Sequence, residues 1–227
     1  MCGRYTQTAS LETLQRRFGF RVEGASLSSR YNIAPGQTAP VLLQDRTMAQ
    51  LRWGLVPSWA KDRAIGARMI NARSETAADK PAFRTSFDSR RCLVLADGFY
   101  EWRKARGAPK VPWRFARKDR EPFAFAGLWD SWQDPDGQDL WTFTILTTEA
   151  NPLVRRVHPR MPVILRRDDE GGWLDDASEI DRLQDLLAPH PVEELEGYEV
   201  STRVNSPQHD DAQCIAPATQ LQPELGL

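Results

Sequence analysis

The sequence predicts an α+β fold: one domain built on a mainly antiparallel, barrel-like sheet flanked by short helices. Three observations predict it. Strand-like segments outnumber helical ones, few are joined by a helical crossover, and nothing along the 227 residues has the composition of a linker. At 25.8 kDa the chain is long enough to bury a substantial core as one large domain or two small ones. The absence of a linker favours one domain over 1–227, with a core of roughly 2–215 and a tail of 216–227.

The elements follow from local pattern. Ser10 suits a helix cap before Leu11, Leu14 and Phe18, which share one helical face, and Gly19 is its stop. A polar stretch leads to Arg30, and Tyr31-Asn32-Ile33-Ala34-Pro35-Gly36 is a turn before a strand at about 39–44. The segment Leu51-Arg52-Trp53-Gly54-Leu55-Val56-Pro57-Ser58-Trp59 begins as a strand and becomes a loop. Its Trp53 is expected in the core and its Trp59, beside Lys61 and Arg63, as a platform on which a base could stack. Asn71 or Ser74 could cap a helix running through Ala78. Phe83 and Arg84 fall in a loop or irregular helix. Cys92 to Ala96 is a continuous apolar run, read as a buried strand in which Cys92 is inert.

Beyond the Asp97-Gly98 turn, alternation puts Phe99 and Glu101 on one strand face and Tyr100 and Trp102 on the other. A carboxylate on an aromatic face is a candidate for acid–base work through desolvation, although pairing with one of the many arginines is the commoner fate. Further strands are expected at 113–116, 123–129 and 141–147, with Asp134-Pro135-Asp136-Gly137 turning between the last two. His158 lies in the Pro-bracketed basic loop Arg155-Arg156-Val157-His158-Pro159-Arg160-Met161-Pro162, ahead of a strand at 163–165. Helices at about 168–174 and 180–187 and a strand at 198–204 complete the chain. His190 and His209 are expected on the surface.

Composition narrows the function classes. Hydrophobic residues are 41% and charged residues 27%, an ordinary globular balance. No apolar run reaches the 18 or so residues of a membrane span, and residues 1–8 have no signal-peptide character, so a cytosolic protein is expected. Cys2, Cys92 and Cys214 are too few and too scattered for a disulfide framework or a zinc site, and no metal or other cofactor is expected. The net charge of −1 hides an asymmetry. Residues 1–120 hold 23 Lys and Arg against 10 Asp and Glu, a net of +13, whereas residues 121–227 hold 7 against 21, a net of −14. Such a division suggests a polyanion-binding face, or two halves that neutralise one another across a globule.

The chemistry centres on Met1-Cys2-Gly3-Arg4-Tyr5. Removal of Met1, which a small second residue permits, would leave Cys2 with an α-amine and a thiol on adjacent atoms. The α-amine, with a reference pKa of about 7.7–8.0, is partly neutral near pH 7, and the thiol at about 8.5 supplies some thiolate. An aldehyde could condense with that amine and then be closed by sulfur into a thiazolidine. With an amide or ester, the same pair could serve as an N-terminal nucleophile. Met1-Cys2-Gly3 alone does not decide between these and a cysteine of no special role.

Taken together, Met1-Cys2-Gly3-Arg4, Tyr31 to Gly36, Trp53-Gly54-Leu55-Val56-Pro57, Asn71-Ala72-Arg73-Ser74-Glu75-Thr76, Gly98-Phe99-Tyr100-Glu101-Trp102, His158-Pro159-Arg160-Met161-Pro162 and Val204-Asn205-Ser206-Pro207 resemble the SOS-response-associated peptidase (SRAP) family of abasic-site processing proteins. Each motif is weak alone, but their order and joint presence span nearly the whole chain. The resemblance implies an SRAP-like fold, loss of Met1 by self-processing or an aminopeptidase, and a covalent thiazolidine between Cys2 and the aldehyde of an abasic site in single-stranded DNA. It further implies that Asn71 holds the Cys2 amine and the sugar, that Glu101 is the general acid–base group, and that His158 assists proton transfer. Arg4, Arg73 and Arg160 would grip phosphates, Pro35 and Trp59 would shape the strand's path, and Thr147 is a further candidate for a phosphate or sugar contact. A monomer, associated with the nucleoid when bound to DNA, is the expected state. Arg155-Arg156 ahead of His158 and Gln208-His209-Asp210 depart from the family pattern and leave the phosphate contacts and the tail's role open. The rival readings are an N-terminal-nucleophile amidohydrolase, for which no Gly-Glu-Ile-Tyr-Asn-like segment is present, a plain autopeptidase acting only on Met1, and a noncatalytic single-strand binder.

Overall fold

The computed structural model describes residues 2–20, 27–105 and 107–220. Met1, part of the polar stretch before Arg30 and the last seven residues of the expected tail lie outside them. Among the described residues, twelve strands and six short helices follow in the order β1 (Tyr5–Gln7), α1 (Leu11–Phe18), β2 (Arg30–Ile33), β3 (Thr38–Leu42), β4 (Met48–Trp53), β5 (Asn71–Arg73), α2 (Ser74–Ala77), α3 (Arg84–Ser89), β6 (Arg91–Ala96), β7 (Gly98–Ala105), β8 (Ala108–Arg117), β9 (Phe123–Gln133), β10 (Asp139–Glu149), α4 (Pro152–Arg155), β11 (Arg160–Pro162), α5 (Glu170–Leu174), α6 (Ile180–Asp185) and β12 (Leu195–Glu199).

Five strands close a barrel. The order β10-β4-β3-β6-β9 returns to β10, because β10 also pairs with β9. The ladders are antiparallel except where β10 runs parallel to β4 and then to β5 along one edge. A second, wholly antiparallel sheet runs β12-β8-β7-β1-β2. This is the expected α+β, barrel-like architecture.

Period-two alternation explains why the barrel strands read as continuous apolar runs. In β6, Cys92, Val94 and Ala96 join the barrel interior with Tyr5, Trp53, Phe99, Phe125 and Phe143, while Leu93 and Leu95 face outward against Leu14, Phe18, Phe87 and Trp173 from the helices. Both faces of the strand are buried. Helix α1 ends as its sequence requires: the Ser10 hydroxyl accepts from Thr13 N–H at 3.2 Å, and Gly19 takes the left-handed conformation at φ 67°.

Several boundaries differ from expectation. The strand after His158 is Arg160–Pro162 rather than 163–165, because β10 pairs with it through Thr147, Thr148 and Glu149. The last strand is Leu195–Glu199, set by the exposed edge of β8, and Thr202–Asn205 is a 3-10 turn rather than its continuation. His190 is not on the surface. It is 2% exposed, and its Nε2 lies 3.3 Å from Glu194. Asn71 caps no helix; it sits in β5 and its side chain is spent elsewhere.

Candidate active site at the junction of the two sheets

The two sheets bring together residues far apart in the chain. Cys2 enters β1, whose Tyr5 pairs with Ile33 on one side and Phe99 on the other. The register places β7 beside β1, so Glu101, two residues beyond Phe99, comes to the Cys2 end of the sheet. From the barrel, β5 delivers Asn71, held in place by pairing of Asn71, Ala72 and Arg73 with Ile145, Leu146 and Thr147 of β10. The Asn71 side-chain amide donates to the Cys2 main-chain carbonyl at 2.7 Å.

His158 arrives from the loop between α4 and β11. Asn151 caps α4 by accepting from Val154 N–H at 3.0 Å, Pro152 begins the helix, and His158 N–H closes it on the Val154 carbonyl at 2.9 Å. The imidazole Nδ1 then lies 3.8 Å from Glu101 Oε1. The same Nδ1 is 3.1 Å from both the N–H and the carbonyl oxygen of Arg160. A neutral ring can accept from the N–H and a protonated ring can donate to the carbonyl, so His158 keeps a main-chain partner in either protonation state.

The environment divides the titrating groups by role. Glu101 is 3% exposed, and burial pushes its carboxyl above the usual glutamate range, with His158 pulling against the shift. It therefore holds its proton to higher pH than a surface glutamate, as a general acid requires. Cys2 has no exposed surface in the chain that carries Met1, and burial followed by the nearby Glu101 charge pushes its thiol up. Its Sγ lies 3.5 Å from the Arg4 carbonyl oxygen. Cys92, closed inside the barrel, is raised by burial alone. Among the described residues no group of three or more His, Cys, Asp or Glu is placed to hold a metal ion, and no helix is long and apolar enough to cross a membrane.

The residues expected to contact a strand are less uniform. Pro35, Trp59 and Arg73 are exposed, Trp59 at 60%, while Trp53 is buried at 1%. Thr147 is fully buried with its hydroxyl 3.3 Å from the Ala72 carbonyl, so its side chain has no surface to offer a phosphate. The Arg4 guanidinium is committed internally, donating to Asn32 Oδ1 at 2.8 Å and to the Val204 carbonyl at 2.7 Å. Arg160 forms a two-pronged pair with Glu75 at 2.5 and 2.9 Å and also donates to the Thr147 carbonyl. This bond holds the Glu75 carboxyl below its usual range.

Sequence reasoning missed Glu75 as the partner of Arg160; its only signal was an acid within the motif that supplies Asn71. It also missed the tail's task. Asp210 accepts from the N–H groups of Tyr31 and Asn32 at 2.5 and 2.9 Å and pairs with Arg30, and Asn32 donates to the Ser206 and His209 carbonyls at 2.9 and 2.7 Å. The atypical Gln208-His209-Asp210 segment is thus fastened to β2.

Known proteins resemble the chain over nearly its whole length. The model of the SOS response associated peptidase (SRAP) family matches residues 1–207, and the chain belongs to that family. It is 42% identical over 222 residues to the abasic site processing protein YoqW of Bacillus subtilis, covering 95% of this chain and 99% of that one. It is 31% identical to the abasic site processing protein HMCES of Gallus gallus, covering 100% of this chain and 79% of that one. A crystal structure of a protein from Bacteroides thetaiotaomicron matches with a TM-score of 0.89 at 28% identity, covering 96% of this chain and all of that one.

Proposed function

We propose that this protein processes abasic sites in single-stranded DNA by covalent capture on Cys2 after Met1 is removed. The observation that carries the reading is the convergence of Cys2, Asn71, Glu101 and His158 from four separate stretches, with 2.7 Å between Asn71 and Cys2 and 3.8 Å between His158 and Glu101. The names of the relatives at 31–42% identity support abasic DNA as the substrate.

An abasic sugar is mostly a closed hemiacetal. Glu101, whose burial favours the protonated form, would donate to the ring oxygen while the anomeric hydroxyl releases its proton, opening the aldehyde. The Cys2 α-amine then attacks the carbonyl carbon, and loss of one water gives an imine. The thiol adds across the C=N bond, its proton passing to nitrogen, and the five-membered thiazolidine is complete. His158 would carry protons between Glu101 and the sugar, and Asn71 would fix the Cys2 backbone so that nitrogen and sulfur face one carbon. The order of events is set by covalency. While Met1 is attached the Cys2 nitrogen is an amide and forms no imine, so cleavage of that bond, by the protein itself or by an aminopeptidase, comes first. Ring closure also diverts the imine from β-elimination, which would cut the strand. The protein would therefore combine a peptidase-like maturation step with lyase-type chemistry at the sugar, needing no cofactor, and acting as a cytoplasmic monomer that joins the nucleoid on damaged DNA.

The test is incubation of mature protein with a single-stranded oligonucleotide whose uracil has been excised. An adduct that survives a denaturing gel and adds the mass of the oligonucleotide less one water is expected. Undiminished adduct in Cys2→Ala would overturn the reading, and glutaminase activity of the mature chain would favour the amidohydrolase instead.

A further inference from the structure

Arg4 and Arg160, both expected to contact the strand, also bond within the protein, Arg4 to Asn32 and Val204 and Arg160 to Glu75, while the buried Arg160 Nε has no hydrogen-bond partner. The uncommitted positive charge lies elsewhere. Between Arg52 and Arg73 the chain carries Arg52, Lys61, Arg63, Arg68 and Arg73 against the single acid Asp62. All five are exposed, and among the described residues none makes a side-chain hydrogen bond or ion pair. Asp62 is occupied in part as a cap, accepting from Ala64 N–H at 2.9 Å.

Two of these cations, Arg52 and Arg63, line a cavity of about 480 Å³ with Pro35, Gly36, Trp53 and Leu140, and the one acid in its lining is Asp62. The fold ties it to the reacting centre. Gly36 N–H donates to the Trp53 carbonyl at 2.8 Å, and the Trp53 indole N–H donates to the carbonyl of Ile70 at 2.8 Å, immediately before Asn71. Pro35 follows β2, whose Ile33 pairs with Tyr5, three residues from Cys2. The Arg52 guanidinium lies over Gly36 at φ 83°, where a Cβ would stand 3.1 Å from Nη2. The far wall is braced by a glycine contact: a Cβ on Gly54 would meet the Gly66 carbonyl oxygen at 2.7 Å, so the segment carrying Arg63 packs backbone to backbone against the end of β4.

We propose that this cavity is a phosphodiester-binding subsite in which Arg52 and Arg63 hold the strand flanking the reacting sugar. The inference rests on the covalent reading for its substrate class but not for its test. Two uncommitted guanidinium groups suit phosphate oxygens, and the cavity is large enough for a nucleotide. Arg4 meanwhile fastens the segment after Cys2 to Asn32 and Val204, and Arg160 ties β11 to Glu75 and Thr147 beside His158.

Equilibrium binding of the full chain to a fluorescein-labelled single-stranded oligonucleotide with every base in place, titrated between about 50 and 200 mM salt, reads phosphate contacts alone. Because that strand holds no aldehyde, the result is independent of Cys2 chemistry, which is followed separately with the abasic strand. Each phosphate contact on a single strand contributes about 0.7 to the salt slope. The R52A/R63A variant is expected to lose about 1.4 of that slope, R52Q/R63Q the same, and R52K/R63K little. The remote pair R16A/R84A, exposed on α1 and α3, is expected to keep the wild-type slope. An unchanged slope in both R52A/R63A and R52Q/R63Q, or an equal loss in R16A/R84A, would overturn the subsite. Loss of slope in a chain that forms no adduct with the abasic strand would keep the subsite and remove the covalent reading.

Discussion

His158 Nδ1 stands 3.8 Å from a Glu101 carboxylate oxygen that burial has made reluctant to ionise. The pair joins the second sheet to the barrel at the place where the proposed reaction has to move a proton.

The first prediction concerns pH. If protonated Glu101 is the acid, the rate of adduct formation follows the product of neutral α-amine and protonated Glu101, rising with pH and then falling at high pH where Glu101 has lost its proton. Glu101→Gln should remove the falling limb and slow formation about 10²-fold or more. Single-turnover gels across pH, with wild type and variant side by side, measure both effects. A falling limb that persists in the variant would assign it to another group.

Stability carries the same sign. A carboxyl whose folded value is raised binds more protons in the folded chain than in the unfolded one, so its contribution is present below the unfolded value and is lost as pH climbs through the folded value. Glu101→Gln should therefore gain in Tm relative to wild type as pH is raised. Paired melting curves at acid and alkaline pH check the sign.

Asn71→Ala removes the donor to the Cys2 carbonyl. A neutral hydrogen bond contributes about 1 kcal/mol, so a Tm loss of about 2–4 °C is expected for a chain of this size. The effect on adduct rate should be larger than on affinity for an intact strand. Equal effects on both would make Asn71 a general structural residue.

Thiol accessibility tests the order of processing. Cys2, Cys92 and Cys214 are all buried, and burial raises each thiol. In a chain bearing extra residues before Cys2, iodoacetamide should label all three slowly and abasic DNA should form no adduct. After removal of those residues, Cys2 should become the fastest-labelled cysteine by peptide mass spectrometry.

Gly54→Ala should be costly. Gly54 adopts φ 122°, and the new methyl would stand 2.7 Å from the Gly66 carbonyl oxygen. Strain of this kind costs about 1–3 kcal/mol. At about 2–4 °C per kcal/mol for a chain of this size, Tm should fall measurably, and the segment carrying Arg63 should become more open to protease.

The order of elements was readable because local patterns were strong: Ser10 and Gly19 bracket α1, alternation marks Phe99 to Trp102, and Asp134 to Gly137 turns β9 into β10. His190 misled because a histidine between two prolines reads as loop, and nothing nearby in sequence announces the packing that buries it. Asn71 read as a helix cap for a similar reason. Its neighbours Ser74 to Ala77 are helical, and the partner that claims its amide is 69 residues away.

The sequence by itself determined the α+β class, the strand faces, the absence of a long apolar span and the small set of polar residues able to do aldehyde chemistry, because these depend on residue type and short-range periodicity. Only the tertiary structure decided which cations bond within the protein and which stay exposed, that Thr147 is covered, and that Glu101 is desolvated beside Cys2 and His158. Those outcomes depend on which distant strands share an edge, and a guanidinium or carboxyl takes its charge state and its partners from that neighbourhood rather than from its own place in the chain.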